Sequence, residues 1–257
     1  MSLTDELILT ALKRGRLTIR GEFLWGSNFT FFGKVEYEGQ TLKTVYKPTR
    51  GERPLWDFPV ATLARREVAA YVVSEALGWR LVPPTVYRQK GPAGAGSLQL
   101  FIDHDPEYHY FSFNDTDRQR LRPVVLFDLL VNNADRKGGH VLVDPELHIW
   151  LIDHGICFHE EDKLRTVIWD FVGESIPEDL SNDLDRFRLK LERSVMKPVK
   201  PPDNPPVEPP DGLAAELRKY LNLAEIEALA SRAGALLDQR IFPPPQIHQR
   251  SIPWPPV

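Results

Sequence analysis

The sequence predicts an α+β chain in two parts, a small antiparallel sheet with one long helix against it and then a mostly helical remainder. Three observations carry this. Five short stretches rich in β-branched and aromatic residues, at 17–23, 29–37, 41–47, 85–88 and 97–102, all lie in the first part of the chain. The next stretch, Asp103-His104-Asp105-Pro106, is abruptly polar. Beyond it the longer apolar patterns have helical spacing, at 117–132, 183–195, 213–221 and 223–239. The boundaries that follow are 1–102, 103–196, a Pro-rich linker at 197–212, and 213–257.

Residues 4–13 form an amphipathic helix with Ile8, Leu9 and Leu12 on one side, ended by Gly15. Two strands follow, joined through Trp25-Gly26-Ser27-Asn28. Gly26 and Ser27 sit where a loop covering phosphates would sit, but only one glycine is present and an ordinary hairpin turn fits as well. The third strand ends at Lys47-Pro48. A lysine at a strand end is common on surfaces, and it gains meaning only from the next segment. Residues 59–77 have helical spacing and stop at Gly78, with Leu63, Ala70 and Leu77 on one stripe and Glu67 on the same stripe. An inward carboxylate needs a cation, because an unpaired buried charge is costly. Lys47 is the expected partner; the alternative is a Glu67 facing water near Arg65 or Arg66.

After the fourth and fifth strands, 117–132 reads as one helix with Pro123 near its first turn, where the missing N–H is harmless. Asp128 precedes Asp135 by about two turns; it either holds the following loop or faces solvent. Val141 to Val143 and 148–152 are strands around an Asp144-Pro145-Glu146 turn. This hairpin brings two loops to one end, one with Asp135 and His140, the other with Asp153 and His154. Two carboxylates so placed suit phosphoryl transfer, one as proton acceptor and one as holder of the metal that neutralises phosphate. Helix 183–195 places Phe187 and Leu191 four apart, and the last 16 residues, 242–257, are again Pro-rich and expected along a surface.

The run Asn133-Ala134-Asp135-Arg136, a strand, then Ile152-Asp153-His154-Gly155 resembles the catalytic and metal loops of the phosphatidylinositol 3-/4-kinase-like group, close to its small bacterial members and distantly similar to HipA-type kinases. The resemblance covers about residues 21–169. It implies a two-lobed protein-kinase-like fold, with a small antiparallel-sheet N-lobe and a mostly helical C-lobe. It implies ATP with Mg or Mn as cofactors, Asp135 as catalytic base and Asp153 on the metal. Lys47, paired to Glu67, would meet the phosphates, and Gln99 would begin the hinge strand that approaches adenine. Where that group commonly has a metal-binding Asn five residues after the base, this chain has His140, which is expected either to ligate the metal or to donate a hydrogen bond to phosphate, the alternative being a histidine packed under the loop and bonded to backbone. As a ligand it would favour manganese over magnesium and fail below its ordinary pKa of about 6.5.

The acceptor is not encoded in any motif; protein, small molecule and lipid headgroup all stay open. A net charge of −4 at pH 7 leaves no global basic field for nucleic acid, and the acidic balance lowers the lipid option. The most apolar run, 124–131, is too short to span a bilayer and contains Asp128. A single cysteine, Cys157, forbids an internal disulfide and suits a cytoplasmic protein. Two other readings remain: a pseudokinase that binds nucleotide without transfer, and a metal hydrolase built on His140, Asp153, His154 and His159.

Overall fold

The computed structural model describes residues 4–23, 28–195, 212–246 and 250–257. Gly26, Ser27 and the Pro-rich stretch 197–210 lie outside them. Strands β1 (Arg16–Glu22), β2 (Phe31–Tyr37), β3 (Gln40–Pro48), β4 (Thr85–Arg88) and β5 (Gly96–Leu100) form one antiparallel sheet in the order β1-β2-β3-β5-β4. Helix α1 (Asp5–Arg14) buries Ala11 and Leu12 against this sheet in a small core with Val35, Tyr46 and Leu98. Strand β3 reaches its site end only because β5 begins with glycine. Gly96 lies opposite Pro48, and a Cβ there would stand 2.3 Å from the Lys47 carbonyl.

Helix α2 (Leu63–Leu77) starts four residues later than its spacing predicts. Its first N–H groups are satisfied from a distance: Glu52 accepts from Leu63 N–H at 3.1 Å and from Ala64 N–H at 2.9 Å. Gly78 ends it at φ +80°, a conformation that costs glycine nothing. The predicted stripe is buried, but so are Ala64, Arg66, Val68, Ala69 and Val73, so α2 is enclosed on nearly every side. It belongs to the larger core, which it shares with α4, the hairpin and the later helices.

The predicted helix 117–132 is two helices, α3 (Asp115–Gln119) and α4 (Arg122–Val131). Pro123 has no N–H to give the Gln119 carbonyl, and that oxygen accepts from Arg122 Nη1 at 3.0 Å instead. Asn132 ends α4 in the left-handed region at φ +54°, where Asn is tolerated. The hairpin is β6 (Val141–Val143) with β7 (Ile149–Leu151). Helices α5 (Glu178–Val195), α6 (Leu213–Leu217) and α7 (Leu223–Gln239) complete the helical part. The first starts five residues before, and the second ends four residues before, the sequence expectation. The last segment is laid along this part: Phe242 is buried, Thr166 N–H donates to the Ser251 carbonyl at 2.9 Å, and Gly138 N–H to that of Pro256 at 2.8 Å. No helix among the described residues is long and apolar enough to cross a membrane.

Candidate active site

A cleft of about 370 Å³ opens between the sheet and the helical part. Val45, Leu100, Ile102, Leu142 and Ile152 make one apolar region of its wall, while Lys47, Glu67, Asp135, His140 and Asp153 supply charged and polar groups. The strand alternation that buries Tyr46 on one face of β3 points Val45 and Lys47 to the other.

Lys47 holds the charged wall together. Its ammonium pairs with Glu67 Oε1 and, at 3.1 Å, with Asp153 Oδ1. Burial works against its charge, yet the two carboxylates raise it above the ordinary lysine value. Burial would likewise raise the Asp153 carboxyl, but Lys47 beside it holds that group well below the usual range. The second oxygen of Glu67 accepts from His154 N–H at 3.0 Å, so one carboxylate of α2 fixes both the lysine and the turn carrying Asp153. That turn bends sharply, with Asp153 at φ +62°.

The loop bearing Asp135 is fixed from beneath. Asp128, 1% exposed, pairs at 2.9 Å with Arg136, which is fully buried. Asn133 Nδ2 donates to Asp128 at 3.0 Å, and the Asn133 side-chain oxygen accepts from Asp135 N–H at 2.9 Å. Arg136 also donates to the Ile152 carbonyl at 2.8 Å and contacts His154 Nε2 at 2.9 Å, joining the two loops. Of the two positions the sequence allowed Asp128, the loop-holding one is observed. Asp135 is left half-buried at the cleft, its carboxyl 3.9 Å from the Lys137 ammonium. Burial raises its pKa to about 6; Lys137 opposes this and the Asp153 charge adds to it.

His140 Nε2 faces Asp153 Oδ2 at 3.5 Å, and its Nδ1 accepts from Lys137 N–H at 3.5 Å. That acceptor role puts the ring proton on Nε2. Burial pushes its pKa down to about 4, with Asp153 partly offsetting this, so loss of the neutral ring belongs near pH 4 rather than the ordinary 6.5. The donor set fits a divalent ion brought in by phosphates, since magnesium is commonly held by one or two carboxylates plus phosphate oxygens and water. It does not fit the hydrolase reading. His154 is fully buried with Nε2 on Arg136, His159 Nε2 meets the Asp57 carbonyl at 2.9 Å, and among the described residues no three His, Cys, Asp or Glu side chains are grouped to hold a metal.

Of the residues singled out from sequence, Lys47, Glu67, Asp135, His140 and Asp153 meet in this cleft. Gln99 lines it as well, but its amide donates to Thr85 Oγ1 at 2.8 Å within the sheet. The stretch expected to approach the hinge, 99–102, is tied down by Phe101 N–H to the Lys43 carbonyl at 3.0 Å. The sequence pattern gives neither Arg136 nor Arg66 a role of its own in the site. Arg136 stands eight places after Asp128, and Arg66 three after Leu63, on the buried stripe. Those spacings were the available signals.

No protein-family model matches the chain. Protein Rv2133c of Mycobacterium tuberculosis (strain ATCC 25618 / H37Rv) is 39% identical over 279 residues, covering 95% of this chain and 93% of that protein. The chain belongs to the Rv2133c family. Phosphatidylinositol 4-kinase gamma 4 of Oryza sativa subsp. japonica is 33% identical to this Rv2133c-family chain over 124 residues, 41% of the chain and 22% of the plant protein. Among solved structures, the Golgi casein kinase superposes with a TM-score of 0.54 at 16% identity, over 91% of this chain and 73% of that one. The fold is therefore protein-kinase-like, an antiparallel sheet over a helical part. The comparisons establish that wider fold for this Rv2133c-family chain, not the phosphatidylinositol 3-/4-kinase-like subgroup.

Proposed function

We propose that this chain is an ATP- and divalent-metal-dependent phosphotransferase, similar to the phosphatidylinositol 3-/4-kinase-like group, acting on a hydroxyl acceptor. The supporting observation is Lys47 bridging Glu67 and Asp153 in a cleft that Asp135 also lines. Lys47 would neutralise nucleotide phosphates, with Glu67 holding it in place. Asp153, and His140 if it ligates, would hold the metal, whose positive charge offsets that of the phosphates. Asp135 would orient the acceptor hydroxyl and take its proton. Val45, Leu100, Ile102, Leu142 and Ile152 offer an apolar slot for the base, and Gln99 shapes its end. Catalysis of this kind is positioning plus charge neutralisation. The test is transfer of radiolabelled γ-phosphate with magnesium or manganese, to the protein itself and to protein, sugar and lipid acceptors. ATP binding without any transfer would favour the pseudokinase reading.

Lys47→Ala should keep the fold and weaken metal-ATP binding about 10- to 100-fold, the worth of one charged hydrogen bond of about 1.5–3 kcal/mol. Unchanged affinity by calorimetry would remove Lys47 from the phosphates. Of the two roles open to His140, donor to phosphate is supported by the ring proton on Nε2. His140→Asn keeps a donor there, so the parent's choice between magnesium and manganese should survive the substitution. A swing from manganese to magnesium in that variant would put His140 on the metal.

A further inference from the structure

Helix α2 grips the turn of Asp153 at two points with consecutive residues. Glu67 takes the His154 N–H, and Arg66 Nη1 donates to the Cys157 carbonyl at 2.5 Å. Arg66 has no part in the site as described so far. It is 1% exposed, and a guanidinium at that depth needs a counter-charge. The counter-charge comes from α7, 159 positions along the chain: Arg66 Nη2 pairs with Glu225 Oε1. Glu225 is itself locked in the first turn of α7, where its other oxygen accepts from Asn222 N–H at 2.9 Å and its own N–H donates to Asn222 Oδ1 at 2.9 Å. The face of Phe58 lies 4.8 Å from the guanidinium.

We infer that Arg66, with Glu225 as its counter-ion, is a positioning residue for Asp153: the first turn of α7 sets α2, and α2 holds the segment that follows Asp153 at His154 and at Cys157. This rests on the reading of Asp153 as the group that meets a nucleotide-borne metal. An aspartate at φ +62° holds that conformation only if its surroundings impose it. Glu67 fixes the residue after Asp153, and Arg66 fixes the residue four places on. An apolar side chain would fill the Arg66 site without desolvating a charge, but it could not hold the Cys157 carbonyl.

The test uses the full chain. Arg66→Met/Glu225→Leu replaces a buried pair by apolar residues, an exchange that often leaves stability intact. Two quantities are read: the gain in ATP affinity on adding magnesium or manganese, by calorimetry, and amide hydrogen exchange over 153–158 without nucleotide. The double variant should melt cooperatively, lose about tenfold or more of the metal-dependent gain, and exchange faster at His154. A folded double variant with parental gain and parental protection makes Arg66 a packing residue and overturns the inference. If the double variant does not fold, Glu225→Gln decides, because it keeps the shape and an acceptor for Asn222: faster exchange at His154 supports the clamp, parental protection overturns it. A parent that gains nothing from metal would instead overturn the reading of Asp153, and the exchange comparison still judges the clamp by itself.

Discussion

Asp135→Asn should leave ATP affinity near parental and lower phosphoryl transfer by about 10²–10⁴, the usual worth of a positioned proton acceptor. The amide keeps the shape of the carboxylate, and the backbone bond from Asp135 N–H to Asn133 does not involve the side chain. What disappears is the capacity to accept a proton. The parent carries a second signature. Burial raises the Asp135 pKa to about 6, so the group is a competent base above that pH and protonated below it. Carbon NMR of the nucleotide-free protein should show one aspartate titrating near 6 that is missing in the variant. Equal transfer rates in parent and variant, with an acceptor or autophosphorylation in hand, would take the base role away from Asp135.

The largest expected effect on stability is at Arg136. Arg136→Met leaves Asp128 buried with its cation gone, and breaking a buried pair from one side costs about 3–5 kcal/mol. Arg136 is fully buried and Asp128 is 1% exposed, so water cannot easily replace the lost partner. The variant also loses the bonds to the Ile152 carbonyl and His154 that join the two loops. Urea unfolding measures the loss directly. Against a typical total of about 5–15 kcal/mol, it should also lower the yield of folded protein. Asp128→Leu/Arg136→Met should recover much of the stability, because neither charge then remains buried alone. A single-variant loss under about 1 kcal/mol would mean that this pair does not hold the loop that bears Asp135.

What sequence could show follows from the range of the forces involved. Strands β1 to β5 and the β6–β7 hairpin were legible because alternation and turn chemistry are local, and so was the stop at Gly78. Lys47 and Glu67 could be paired because one strand-end cation and one inward carboxylate lie a few elements apart. The break between α3 and α4 was missed because Pro123 fits either a first turn or a kink, and the Arg122 bond to Gln119 decides between them. The late start of α2 was missed because its capping carboxylate, Glu52, sits 11 positions away from Leu63 and follows no capping pattern. Arg66 and Glu225 lie 159 positions apart, and only the packed helices bring them together. The stripe of Leu63, Glu67, Ala70 and Leu77 shows one side of α2 only, because a helix enclosed on most sides carries little directional signal in its sequence.

Glu52 bears on how the cleft selects its guest. The first turn of a helix concentrates partial positive charge and is a ready cradle for phosphate. Here that end of α2 borders the cleft, with Leu63 and Ala64 in its wall, and a carboxylate of the protein's own already fills it. An arriving polyphosphate meets a neutralised helix end and a nearby negative charge, which repels any anion lacking its own cation. Bare ATP should therefore bind far more weakly than its metal complex, and free inorganic phosphate should compete poorly. If the cleft takes a nucleotide as proposed, this carboxylate would make it select for the counter-ion that the nucleotide carries, in addition to the nucleotide itself.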